Sequence, residues 1–207
     1  MDDFPHLENA PITEALIDLR VVLPPGKQIA DLETAATRVS AGYPNRMEIK
    51  FGNVQFQIGQ TPSAEVTQEL VGVGYSSLDG KNIVQCRLDG FTFSRLKPYE
   101  TWEILRREAM RLWQIYREIA EPSRITRAAV RYINHLRLPS TQRLEEFLTA
   151  VPLVPPGAPE HLAAFLTRSV VVDKPSGVVA IITQNYDGEQ RSEEGYRSVL
   201  LDIDAFV

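Results

Sequence analysis

The sequence predicts an α+β protein whose largely antiparallel, curved sheet carries its helices on one face. Three observations lead there. Short segments of alternating apolar and polar residues recur along the chain, which is the period of half-buried strands. Residues 98–120 place apolar side chains at three- and four-residue spacings, the period of an amphipathic helix. The segments ITEALIDLRVVLPP and ITRAAVRYINHLRLPS both open on Ile-Thr, alternate, and close on Leu-Pro.

Ile12–Leu23 reads as a strand, with Ile17, Leu19, Val21 and Leu23 on one side and Pro24-Pro25-Gly26 ending it. Lys27–Ala41 reads as a helix with Ile29, Leu32, Ala36 and Val39 on one stripe, stopped by Gly42-Tyr43-Pro44. Met47–Ile58 alternates around Gly52-Asn53, as a bent strand or a short hairpin. Val71–Ser77 is the next strand, and Asp79-Gly80 supplies the positive φ angles of a tight hairpin turn. Asn82–Leu96 then reads as one long strand, with Asp89-Gly90 as a bulge.

Pro98 opens the helix that runs to Ala120, with Trp102, Leu105, Ala109, Leu112, Trp113, Tyr116 and Ile119 on its core stripe. Ile125–Leu138 is a second long strand, and Thr141–Ala150 a short helix capped by Ser140 or Thr141. Val151–Pro159 is a proline-rich loop, and His161–Leu166 an added helical turn. Strands at Thr167–Val172 and Val178–Tyr186 flank the turn Lys174-Pro175-Ser176-Gly177. Asp187-Gly188-Glu189 turns the chain into a last strand, Arg197–Phe206.

A length of 207 residues fits a single domain, 1–207. Its order of elements repeats: residues 10–121 and 122–207 each read as strand, helix, and two or three strands, with a closing long helix in the first half. Two such halves paired around a pseudo-twofold axis would resemble a TATA-box-binding-protein-like or helix-grip fold. The expectation is that the natural chain continues past Val207 into a helix covering the second half. Without one, a bare sheet and an open edge would favour a homodimer.

The apolar fraction of 43% and charged fraction of 24% are ordinary for a globular chain. The single Cys86 excludes an internal disulfide and fits a reducing, cytoplasmic setting. Residues 1–9 lack the basic and apolar regions of a secretory leader. No apolar run approaches the ~18–20 residues of a membrane span, so no membrane partner is expected. A net charge of −5 argues against non-specific nucleic-acid binding. The charge is uneven, however. Residues 95–143 carry 11 basic and 5 acidic side chains, residues 1–94 carry 7 and 12, and residues 144–207 carry 4 and 10. Either the basic centre pairs with the acidic ends, or it receives an anionic small ligand or partner.

Four blocks in order, PITEALIDLRV, DGFTFSRLKPYETWE, RYINHLRLP and SVLLDIDAF, resemble a sporadically distributed, uncharacterised prokaryotic protein family. Its members run a little longer than this chain. The resemblance spans nearly the whole sequence, supports the expected C-terminal helix, and implies no catalytic residues.

No phosphate-binding loop, dinucleotide fingerprint, CxxC or HExxH is present. Val71-Gly72-Val73-Gly74 leads into a strand, not the helix that a dinucleotide site requires. His6, His135 and His161 are far apart in sequence, so no zinc site and no cofactor is expected. Cys86 sits within a strand, where a cysteine is ordinarily a small core residue.

Asp202 and Asp204 share one strand face and are the candidate metal ligands, for Mg²⁺; the plainer reading is a solvated strand face. Arg127, Arg131, His135 and Arg137 share another, on alternate positions ~6.6–7 Å apart. They are the candidate ligand-binding residues for a phosphate or carboxylate, or else they pair with acids on neighbouring strands. Asn134 lies on the opposite face, where burial would oblige it to find partners.

The expected function is a non-enzymatic binding or protein-interaction module, homodimeric or bound to a protein partner through a groove or dimer surface. The alternatives are a metal-dependent nucleotide-binding enzyme using Asp202 and Asp204, and nucleic-acid binding on the open sheet face.

Overall fold

Residues 7, 9–57, 63–157, 162–188 and 195–207 are described by a computed structural model. They form strands β1 (Ile12–Val22), β2 (Asn45–Gln57), β3 (Ser63–Ser76), β4 (Asn82–Arg87), β5 (Gly90–Leu96), β6 (Arg124–Pro139), β7 (Ala164–Val172), β8 (Val179–Asp187) and β9 (Tyr196–Phe206). The helices are α1 (Ile29–Glu33), α2 (Ala36–Val39) and α3 (Trp102–Ala120). Pairs β2–β3, β3–β4, β4–β5, β6–β9, β8–β9 and β7–β8 are all antiparallel. The chain is therefore α+β and built on antiparallel pairing. No described helix is long and apolar enough to cross a membrane.

The chain divides into two compact units, with dividing lines inside β1, β5 and β6 and at the start of α3. The α3 unit comprises Leu16–Arg95 and Trp102–Ala128, and the β9 unit Met1–Ala15, Leu96–Thr101 and Ala129–Val207. Within the α3 unit the strand order is β2-β3-β4-β5-β1-β6. Strict alternation sorts β5: Phe91 and Phe93 are buried toward α3, while Thr92 and Ser94 point to the opposite face. Phe91 meets Trp113 edge-on, centroids 5.7 Å apart, and Tyr116 at 5.8 Å; Trp113 and Tyr116 stack at 5.4 Å. Leu105, Ala109, Leu112, Ile115 and Ala120 are the other buried residues of α3, and α1 packs on β3, β4 and α3.

Within the β9 unit the order is β1-β6-β9-β8-β7. Its core gathers Leu138, Leu144, Leu148, Phe165, Tyr186 and Val199. The register explains the cluster: Leu136 lies opposite Val199, Val199 opposite Tyr186, and Tyr186 opposite Phe165.

Several expected elements differ. The helix expected over 27–41 is two short ones, broken at Thr34-Ala35. There the Thr34 hydroxyl donates to the Asp31 carbonyl at 2.6 Å and the Thr37 hydroxyl to the Thr34 carbonyl at 3.0 Å, side-chain bonds that compete with the helical ladder. Asn82–Leu96 is two strands, because Arg87 pairs with Gly90 across a two-residue hairpin turn at Leu88-Asp89, where a bulge was expected at Asp89-Gly90.

The long helix begins at Trp102 instead of Pro98, which follows a cis peptide bond, and Trp102 is exposed. Met47–Gln57 belongs to the single strand β2, with a register shift at Ile49/Lys50, and β3 begins eight residues earlier than expected. Only a 3-10 turn, Leu144–Glu146, forms where a helix was expected over 141–150. Arg143 holds an extended backbone before it, and its N–H donates to the Glu146 carboxylate at 2.9 Å. Leu162–Leu166 runs into β7 and is not helical; His161, Glu189, Ile58 and Pro159 lie outside the described residues.

Phe91→Ala removes the ring that Trp113 and Tyr116 pack against. It is expected to lower stability by about 3–5 kcal/mol in equilibrium urea unfolding, as fully buried aromatic truncations do.

Candidate functional site

The polar face of the α3 unit is assembled by register. Gln85 lies opposite Thr92 and Arg87 opposite Gly90, so β4 and β5 present Gln85, Arg87, Thr92 and Ser94 on the face away from α3. Asp18 of β1 is 8% exposed and Arg87 7% exposed. The Arg87 guanidinium donates to Asp18 at 3.0 Å, to Thr92 at 2.6 Å, to Gln85 at 3.0 Å and to Asp89 at 3.0 Å.

Thr92 Oγ1 donates to Asp18 Oδ1 at 2.7 Å. The other Asp18 oxygen faces Arg127 Nη1 and Arg20 Nε, each at 3.3 Å. Burial alone would raise the Asp18 carboxyl. The hydrogen bond from Thr92 and the bond and charge of Arg87, with Arg20 behind them, outweigh it and hold the group below its ordinary range. The Arg87 carbonyl accepts from the Tyr116 hydroxyl at 2.8 Å, so the same residue also anchors α3.

Beside this network lies a groove of about 520 Å³ lined by Arg20, Lys50, Phe51, Glu69, Gln85 and Asp89, among others. Its cations are already matched: Arg20 with Asp89 and Asp18, and Lys50 with Glu48 at 2.9 Å.

The residues singled out on β6 each meet a different partner. Arg127 belongs to the Asp18 network. Arg131 grips Asp202 with two bonds, Nε at 2.7 Å and Nη2 at 2.6 Å. That hydrogen bonding, stronger than the effect of burial and helped by the charges of Asp202, Asp204 and Glu14, raises the guanidinium pKa. His135 Nε2 contacts the Ser198 hydroxyl, and Arg137 stacks 3.8 Å over the Tyr196 ring. Asn134 is buried, and its amide donates to the Leu201 carbonyl at 3.1 Å, which makes it a structural polar anchor.

Asp202, expected as a metal ligand with Asp204, is thus held by an arginine. Among the described residues no group of three or more His, Cys, Asp or Glu side chains is placed to hold a metal ion; His6 and His161 lie outside them. Cys86 is buried, and burial pushes its thiol up to about 12, so it stays protonated.

Asp18, Arg87 and Thr92 were not singled out from the sequence. Their alternation with apolar neighbours reads as an ordinary wet face. The available signal is that charged residues of opposite sign stand in β1 and β4, the two strands that flank β5. No protein-family model, curated protein or solved structure matches the chain.

Arg87→Ala strands the buried Asp18 carboxylate and is expected to cost about 3–5 kcal/mol in urea unfolding. Arg131→Ala, at a half-exposed pair, is expected to cost at most about 1 kcal/mol in the same assay. Because the folded pKa of Asp18 lies below its unfolded value, its stabilising contribution is present above pH ~4 and fades as pH falls through the folded value. Asp18→Asn is therefore expected to flatten the acid limb of a stability–pH curve measured by urea midpoints.

Proposed function

We propose that the protein is a non-enzymatic interaction module that docks an extended partner strand on the outer edge of β7. The observation that carries this reading is the contrast between the two strands that end the strand orders, β2 in the α3 unit and β7 in the β9 unit.

Edge strands offer unpaired backbone N–H and C=O groups, and proteins guard them with charges, bulges or short length. β2 is guarded. Arg46, Glu48 and Lys50 alternate along it, Arg46 pairs with Glu33 and Lys50 with Glu48, and the register shifts at Ile49/Lys50. β7 carries a single charge, Arg168, within Ala164–Val172. Leu166 is 71% exposed, and Val170, Val171 and Val172 are 54%, 52% and 54% exposed. An unguarded, apolar, β-branched edge suits strand addition, in which main-chain bonds give affinity and side-chain pairs give register.

The repeated order of elements, β1-α1-α2 then strands and β6-3-10 turn then strands, also supports reading the chain as a doubled unit of the kind seen in TATA-box-binding-protein-like or helix-grip folds. The metal-dependent reading of Asp202 and Asp204 has a competitor in Arg131, which already occupies Asp202.

The test is a labelled peptide with the sequence Ala164–Val172, titrated into dilute protein and followed by fluorescence anisotropy. Saturable binding is expected. Val170→Pro and Val171→Pro make an internally controlled pair, since N–H groups of consecutive strand residues point to opposite edges. The proline that removes an outward N–H should weaken binding roughly tenfold or more while leaving thermal stability in place. Absence of binding, or binding indifferent to both prolines, would refute the reading.

A further inference from the structure

We propose that the strand received by β7 is β7 of a second copy of this chain, paired antiparallel about a twofold axis that passes between the two Ser169 residues. This rests on the docking reading above and names its occupant.

A strand that extends an antiparallel sheet with its own copy must be related to it by a twofold normal to the sheet. Directly paired residues then lie on the same sheet face, so the register changes only in steps that keep even residues opposite even ones and odd opposite odd. That leaves few choices along Ala164–Val172.

Centring the axis on Arg168 sets the two arginines directly opposite each other, an unfavourable like-charge pair. Centring it on Val170 leaves only Arg168–Val172 paired and aims Leu166 at Lys174, in the turn after the strand. Centring it on Ser169 pairs Leu166–Val172 of each copy along its whole length. Leu166 then faces Val172 of the second copy, Arg168 faces Val170, Thr167 faces Val171, and Ser169 faces Ser169. The most exposed apolar side chain of β7 meets an exposed valine at both ends of the seam. The two arginines fall on a diagonal, where each can lay its aliphatic stem over Val170 of the other copy and carry its charge into water.

Cysteine cross-linking reads this register directly, because the native Cys86 is buried. Ser169→Cys is expected to give a disulfide-linked dimer on mild oxidation, since opposed residues have Cα atoms ~4.5–5.5 Å apart, within disulfide reach. Leu166→Cys and Val172→Cys are each expected to form no disulfide cross-link alone, because each lies about 20 Å from its own copy at ~3.3 Å per residue. Mixed together, the two variants are expected to cross-link. Light scattering of the unaltered chain is expected to give twice 23.3 kDa at high concentration.

A monomeric mass at all concentrations, with Ser169→Cys cross-linking no faster than Leu166→Cys, would overturn the proposal. If the β7 peptide still binds in that event, the docking edge stands and its occupant is another chain; if the peptide also fails, the docking reading falls with it.

Discussion

The α3 unit depends on one buried ion pair. Asp18 and Arg87 sit on different strands, far apart in sequence, and neither reaches much water. Two such groups are costly to bury unless each lone pair and each N–H finds a partner. Here both Asp18 oxygens and all three Arg87 nitrogens find partners, the two residues bonding each other and Thr92, Gln85, Asp89, Arg127 and Arg20 completing the set. The network therefore fixes which residues of β4, β5, β1 and β6 stand side by side. A slip of one residue in β1 or β4 would turn Asp18 or Arg87 toward the apolar side of the sheet, and one in β5 would turn Phe91 and Phe93 toward the polar side. Arg87 extends this control to the helix, since its own carbonyl receives the Tyr116 hydroxyl while its side chain holds Asp18.

Glycine makes room for this arrangement. A Cβ on Gly72 would come within 2.4 Å of the Cys86 carbonyl oxygen and 2.8 Å of the Arg87 Cα, both backbone atoms that cannot move aside cheaply. At Gly74 a Cβ would meet Met47 Cγ at 2.7 Å. The Gly-x-Gly of β3 is thus a packing device beside the charged network. It resembles half of a nucleotide fingerprint in spelling only; its context, a strand between two strands, gives it a steric role.

Periodicity made much of the fold legible. β1, β6, β9 and α3 emerge close to their expected bounds because long alternating or helical runs constrain themselves. The failures have local causes. The hairpin turn falls on Leu88-Asp89, without a positive-φ residue, and the apolar run on either side disguised two strands as one. The helix over 27–41 was broken by threonine side chains that bond to the backbone. The candidate site was harder to read. Arg131 and Asp202 belong to separate candidate sites in the sequence, where pairing of Arg131 with an acid on a neighbouring strand is the alternative; which acid it meets depends on the β6–β9 register, which no local pattern contains. Asp18 escaped notice because a lone aspartate in an alternating strand has the same spelling whether it faces water or a buried arginine.

The unequal protection of β2 and β7 also bears on the order in which the chain is made. The charged β2 emerges early and can wait in water for β3 without attracting other chains. The apolar β7 emerges late, and roughly 40 residues, a few seconds of synthesis at ~5–20 residues per second, separate its start from the end of β9. The most adhesive strand is thus followed at once by β8, the neighbour that covers one of its edges.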